Sequence, residues 1–293
     1  RNIAPATSTF VADDAVFKLS LSSDLLPYCS INTQLAVPVN VQEILSTGKQ
    51  TSFICQLFLI AFASSTSTNT FLPLRGTMPT NKKQVQVDVV SDIMCPWCWV
   101  GKRKLESAIR QSAGEYEVSV QWHPFLLRPD MPREGTLKAP ATPDNPRVGM
   151  RLKQAGQSVG IDFTGKCDRA PNTLLAHCLM KYALDSKGAH VQNKLQEAIF
   201  RGYFTDGLYP DVGNLATLGA EVGLDHEEVR RVLASGKLEE VVMKEARGHA
   251  RSGVSGVPFF FINGKPAFSG AQDVDSFVNA FEQLALESTD RGG

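Results

Sequence analysis

The sequence predicts a mixed α/β fold in which a β-α-β segment and a closing α-β-β-α segment flank a block of helices. Three observations carry that prediction. The run Val85-Gln86-Val87-Asp88-Val89-Val90 is β-branched and alternates as a strand does. The pattern turns helical immediately after Cys95. Near the C-terminus, two short apolar runs flank Asn263-Gly264, among the strongest hairpin signals a sequence can carry.

Taken in order, the helix after Cys95 places Cys98, Leu105 and Ile109 on one face, with Lys102, Arg103 and Lys104 off it as an expected solvated face. Gly114 is the expected stop. Val118, Val120 and Trp122 alternate within 116–127, a second strand. Residues 128–146 are rich in proline and charge and read as a loop. From about 148 to 235 the chain is mostly helical, with apolar residues such as Leu174, Cys178, Leu179 and Tyr182, then Leu195, Ala198 and Ile199, at spacings of three and four. Asp225 and Glu228 have the spacing of a capping box and open a helix carrying Val229, Val232 and Leu233. Another amphipathic helix covers 238–250, strands cover 257–262 and 265–268, and a helix over 273–286 closes the fold.

Residues 1–77 are rich in Ser and Thr, show no sustained period, and are left out of the predicted fold. Their one apolar stretch, 53–63, spans 11 residues interrupted by Gln56, too short to cross a bilayer. Two readings stand. The segment is a targeting or disordered extension, since small residues follow the apolar run, or it is non-native sequence translated upstream of a start at Met78. A start at Met78 goes with a cytoplasmic protein, whereas a genuine extension allows an organellar or secretory one.

Hydrophobic residues make up 43% and charged residues 20% of the 293, a composition that can bury a full core. Basic and acidic residues balance at 30 each, so no concentrated basic surface is expected and nucleic acid is set aside as a partner. No membrane partner is expected either. Six cysteines are too sparse for a disulfide scaffold, and only Cys95 and Cys98 look arranged.

Two cysteines separated by two residues at a strand-to-helix junction can close a small disulfide ring and reopen it. Cys95, at or just before the first turn, is expected to be the thiolate, because unpaired N–H groups and the helix dipole stabilise negative charge there. Cys98, one turn on and facing the core, is the expected resolving thiol. Pro96 suits the first turn because its missing N–H costs no helical bond. Trp97 and Trp99 are expected to form an apolar rim for an extended or hydrophobic substrate. A zinc reading needs four ligands, and Cys167, His177 and Cys178 lack the spacing to complete one, so no metal is expected. Val257-Pro258 leaves two alternatives open: a trans proline in a loop, or a cis proline that turns the Val257 backbone toward the sulfurs.

The segment Ser91-Asp92-Ile93-Met94-Cys95-Pro96-Trp97-Cys98-Trp99-Val100-Gly101-Lys102 resembles the start of the FrnE-like branch of the DsbA family. Further matches are residues 172–177, Tyr203-Phe204-Thr205-Asp206-Gly207, Gly223-Leu224-Asp225 and Gly253-Val254-Ser255-Gly256-Val257-Pro258-Phe259-Phe260, so that the resemblance covers about 85–286. It implies a thioredoxin fold with a large helical insertion capping the redox centre, and a cis Pro258 facing the cysteines. By resemblance, Cys95 is the nucleophile, Cys98 the resolving cysteine, and Val257 and Pro258 the substrate-backbone contact; Pro96 and Trp97, within the motif, are further expected substrate contacts. The corresponding domains are an extension over 1–84, a thioredoxin-like domain over 85–127 and 237–288, and the insertion over 147–236. Two departures stand out. Trp97 occupies the place where DsbA proper has His, so that protein's strong oxidising character is not carried over. Cys178 stands where relatives commonly have Arg and is expected to be a packed core thiol, with an accessory redox partner as the alternative. His177 is expected to be a satisfied core residue, with a role in tuning the site as the alternative.

The function expected from these residues is dithiol–disulfide exchange with protein or peptide thiols. It uses no cofactor beyond the redox-active disulfide, with glutathione as a candidate co-substrate. Two other classes compete: a glutathione-dependent isomerase or transferase of the same fold acting on a small aromatic substrate, and a binding protein in which Cys95–Cys98 is a static disulfide.

Overall fold

The computed structural model describes residues 7–12, 15–20 and 82–289. The chain divides into two compact units, Arg1–Arg75 and Gly76–Gly293. In the first, β1 (Thr7–Ala12) and β2 (Ala15–Ser20) form an antiparallel pair with Phe10 opposite Phe17 and Val11 opposite Val16. No sustained period is expected in this stretch, and its two strands, Thr7-Ser8-Thr9-Phe10-Val11-Ala12 and Ala15-Val16-Phe17-Lys18-Leu19-Ser20, lack the regular apolar alternation seen at Val85 to Val89. The remaining expectations for 1–77 lie outside the described residues.

The second unit is built on a four-stranded sheet of order β4-β3-β7-β8. Its strands are β3 (Lys83–Ser91), β4 (Tyr116–Pro124), β7 (Phe259–Ile262) and β8 (Lys265–Ser269). β3 runs parallel to β4 and antiparallel to β7, and β7 pairs antiparallel with β8. As a central strand, β3 is buried on both faces. Val85, Val87 and Val89 join the main core, while Val90 packs with Phe125 and Val254 on the other side. The β7–β8 turn uses Asn263 at φ 50 and Gly264 at φ 75, the left-handed pair that a two-residue hairpin requires. This is the mixed α/β, thioredoxin-type architecture the sequence predicts.

Helix α1 (Pro96–Gln111) crosses from β3 to β4, and α8 (Val274–Thr289) packs beside it. α1 ends before Gly114, with the Ser112 N–H bonded to the Ala108 carbonyl at 2.9 Å. Between β4 and β7 the chain forms α2 (Met150–Gln157), α3 (Leu174–Lys187), α4 (Ala189–Arg201), a π-helical turn (Gly202–Asp206), α5 (Val212–Glu221), α6 (His226–Ala234) and α7 (Glu239–Arg251). Asp225 caps α6, accepting from the Glu228 N–H at 2.7 Å. The loop expected over 128–146 contains a two-residue strand, β5 (Thr136–Leu137), paired with β6 (Arg169–Ala170); two residues offer no period to read. α4 lies along β4, and α7 packs against both β4 and α3.

The basic run at the centre of α1 is a correction. Lys102 is 2% exposed and pairs with Glu106 and, at 3.0 Å, with Glu197 on α4. Arg103 also binds Glu197, at 2.5 Å, and Lys104 binds Asp273 at 2.7 Å. An intrahelical period cannot reveal this, because the partners lie 94 or more residues further along the chain except for Glu106. Among the described residues, no helix is long and apolar enough to cross a membrane.

Candidate active site

The end of β3 and the start of α1 place Cys95 at the N-cap position, in extended conformation, with Pro96 opening the helix. The Cys98 N–H donates to the Cys95 carbonyl at 3.1 Å, the first turn of the helix. Both thiols are free. Cys95 is 6% exposed and Cys98 is fully buried.

The two sulfurs are unequal in acidity. The Cys98 thiol donates to the Cys95 sulfur, and this is the largest influence holding Cys95 below the ordinary thiol range. Burial opposes it, the backbone N–H groups of Cys98 and Trp97 assist it, and the Asp92 carboxylate opposes it. Cys98 is pushed well above the ordinary range, first by burial and then by giving its hydrogen to a negatively charged neighbour. One sulfur is prepared to be an anion and the other to keep its proton.

The loop before β7 faces the pair. Val257–Pro258 is a cis peptide, and the Cys95 thiol lies 3.4 Å from the Val257 carbonyl oxygen. Gly101 makes this approach sterically open, because a Cβ there would meet Pro258 at 3.2 Å and the Phe260 ring at 3.3 Å. Pro96 and Trp97 are half-buried at the mouth, with the Arg151 guanidinium 5.5 Å from the Trp97 ring centre. Beside them opens a cavity of about 380 Å³ lined by Met94, Arg128, Lys138, Arg147, Tyr203 and Phe204.

Trp99 is not a rim residue. It is 2% exposed and sits among Phe163, Phe200 and Phe204, at ring separations of 5.6, 6.2 and 6.1 Å. Its Nε1–H donates to Glu197 at 2.9 Å. Burial pulls the Glu197 carboxyl upward, but Lys102, Arg103 and the Trp99 donor outweigh it and hold the group ionised. The helix that presents the cysteines is thus fixed to α4 by one carboxylate with three partners.

Asp92 is the residue sequence inspection passed over. It is fully buried just before the motif. Its carboxylate accepts from the Met94 N–H at 3.3 Å and the Leu127 N–H at 2.7 Å, and its carbonyl accepts from the Cys95 N–H at 3.0 Å. His177, 5% exposed, brings Nε2 to 3.5 Å from Asp92 Oδ1; among the described contacts it meets the redox motif through Asp92. Proximity to the motif could have flagged Asp92. Glu197 and the cavity cations carry no such signal, because only the fold brings them near. Cys167 and Cys178 are both buried: Cys167 lies in the wall of the mouth cavity, its thiol donating to the Arg169 carbonyl at 3.4 Å, whereas Cys178 sits in the main core with its thiol pushed up to about 12 by burial.

Residues 86–282 match the DSBA-like thioredoxin domain. The chain belongs to the DSBA-like thioredoxin domain family. A relative at 30% identity over 200 residues, covering 67% of this chain and 95% of its own, is the uncharacterized protein YwbO of Bacillus subtilis. Among solved structures, a probable DsbA oxidoreductase of Streptomyces coelicolor superposes with a TM-score of 0.60 at 29% identity, covering 69% of this chain and 90% of that one. The fold is also shared with a 2-hydroxychromene-2-carboxylate isomerase, at a TM-score of 0.53 and 16% identity, covering 71% of this chain and all of that one. Membership in the DSBA-like family implies thiol–disulfide oxidoreductase chemistry.

Proposed function

We propose that this protein is a dithiol–disulfide exchange enzyme of the FrnE-like branch, with Cys95 as nucleophile and Cys98 as resolving thiol. The observation that carries the reading is the opposed acidity of the two sulfurs across a single helical turn. The Cys95 thiolate attacks one sulfur of a client disulfide, and the other client sulfur leaves as a thiolate. The resulting mixed disulfide is opened when Cys98 gives up its proton and attacks the Cys95 sulfur. The client gains two electrons and leaves as a dithiol, while Cys95 and Cys98 become a disulfide. The reverse sequence oxidises a client.

Val257 and Pro258 offer the client a backbone contact beside the sulfur, and Pro96 and Trp97 supply the apolar mouth. The three cations of the adjoining cavity suit carboxylate groups, which favours an acidic peptide segment or glutathione as the thiol partner. His177 acts, in this reading, only through Asp92. The glutathione-dependent isomerase reading leaves Cys98 without a task, so exchange is preferred.

The test is a redox titration in glutathione buffers followed by Trp97 and Trp99 fluorescence. A Cys95–Cys98 potential between roughly −270 and −120 mV is expected, the range of exchange catalysts. A potential below about −300 mV would instead mark a static disulfide.

A further inference from the structure

On the face of the sheet covered by α7, a second cluster of titratable groups lies outside the redox site. β4 supplies His123, β3 supplies Asp88, and α7 supplies Glu245 and His249, four residues apart on one helical face. His123 Nδ1 is 2.8 Å from Glu245 Oε1, and His249 Nε2 is 3.8 Å from the same oxygen. One donor atom from each of His123, Glu245 and His249 falls within 4.8 Å of the others.

We propose that His123, Glu245 and His249 form a binding site for a divalent cation of the zinc class, with Asp88 as the outer partner that orients His123. The assignment is independent of the redox reading. Three features of the cluster support it.

The donor set is the first. Two imidazoles and a carboxylate suit a borderline cation such as Zn²⁺ rather than Ca²⁺ or Mg²⁺, which favour all-oxygen ligands. The second is separation. Ligands held about 2.0–2.2 Å from a tetrahedral ion lie roughly 3.3–3.6 Å from one another. The observed spacings bracket that value, so modest side-chain rotations admit the ion. The third is the outer contact. His123 Nε2 faces Asp88 Oδ1 at 3.0 Å, which fixes Nε2 as the N–H side and turns Nδ1 toward the proposed ion, the arrangement that metal-bound histidines commonly adopt. The side chains are 18–31% exposed, enough for entry from solvent while held between a strand and a helix. Lys181, which lines the adjoining cavity, is engaged with Asp185 at 2.5 Å.

Binding is an exchange: Zn²⁺ enters and the proton between His123 Nδ1 and Glu245 leaves, with no electron transfer. Three protein ligands leave a fourth position for water.

The experiment uses the full chain with Cys95–Cys98 oxidised and every accessible thiol alkylated, so that sulfur cannot ligate. Equilibrium dialysis against Zn²⁺ should retain one ion per chain. His249→Gln, at a side chain that meets the cluster through a long contact to Glu245 and a ring contact with His123, should keep the fold and weaken binding at least about tenfold, and Asp88→Asn should weaken it about 10- to 100-fold. His226→Gln, at an exposed histidine, should change nothing. Histidine ring resonances in NMR spectra should shift and saturate at one equivalent. Absence of retained Zn²⁺ would overturn the site and leave the cluster as an ion-pair staple between α7 and β4. Equal binding by the His249→Gln protein, with its fold checked by circular dichroism, would overturn it as well.

Discussion

Cys95 and Cys178 make an instructive pair. Both are nearly buried, 6% and 2% exposed, yet their acidities move in opposite directions. Cys178 sits within α3, where the backbone N–H groups are spent on the helix; burial is the largest influence on it, the Glu239 carboxylate adds to the rise and Arg133 opposes it. Cys95 sits at an N-cap, where N–H groups of the first turn and the Cys98 thiol point at the sulfur. Burial raises a thiol; unspent donors lower it. The location of a cysteine along its helix, more than its depth, decides whether it reacts.

The largest way to break the contrast is to remove the prepared sulfur. Cys95→Ser should reduce insulin disulfide reduction to background, while Cys98→Ser should accumulate a mixed disulfide on Cys95, visible by mass spectrometry. Retained turnover in Cys95→Ser would sink the exchange mechanism.

Next in size is the anchor of the presenting helix. Glu197→Ala strands the buried Lys102 with Glu106 alone, and a loss of roughly 3 kcal/mol in denaturant unfolding is expected. A loss below about 1 kcal/mol would mean that Glu106 and solvent suffice.

Asp92→Asn sharpens the comparison. It removes a negative charge that opposes the Cys95 thiolate, so thiolate absorbance at 240 nm should appear at lower pH than in the parent. One of the two N–H groups its carboxylate serves loses a strong acceptor, at a cost of about 1–3 kcal/mol. An unchanged titration would remove Asp92 from the electrostatics of the site.

The smallest effect belongs to Cys178→Ala: about 1 kcal/mol of stability and no change in exchange rate. The alkylation rate gives the pH signature of the pair. Cys95 should reach its plateau at a pH below the ordinary thiol range, whereas Cys178 should stay unreactive until the protein unfolds.

Much of this was legible in the sequence because it is local. The β3–α1 junction, the hairpin at Asn263-Gly264 and the cap at Asp225 are written within a few neighbouring residues. The Cys-x-x-Cys pair stands out through its spacing together with its place at a strand-to-helix junction. What could not be read was whatever depends on a partner far along the chain. Lys102 looks like a solvent residue until Glu197 arrives from α4, and Trp99 looks like a rim until Phe163, Phe200 and Phe204 enclose it. Asp92 was a different failure. It stands beside the motif, but nothing in the linear text says that this carboxylate will be fully buried.

The π-helical turn at Gly202–Asp206 has a consequence for what changes this protein tolerates. An α-helix advances about 100° per residue, and a π turn spends additional residues on one revolution. Those residues set the angle at which Phe204 meets Trp99 and at which Tyr203, packed on Phe204, lines the mouth cavity with it. Deleting any one of them would swing the aromatic wall away from the tryptophan without altering a single remaining letter. Along this stretch the chain is held to a count as much as to a composition: substitutions adjust the wall, while insertions and deletions turn it.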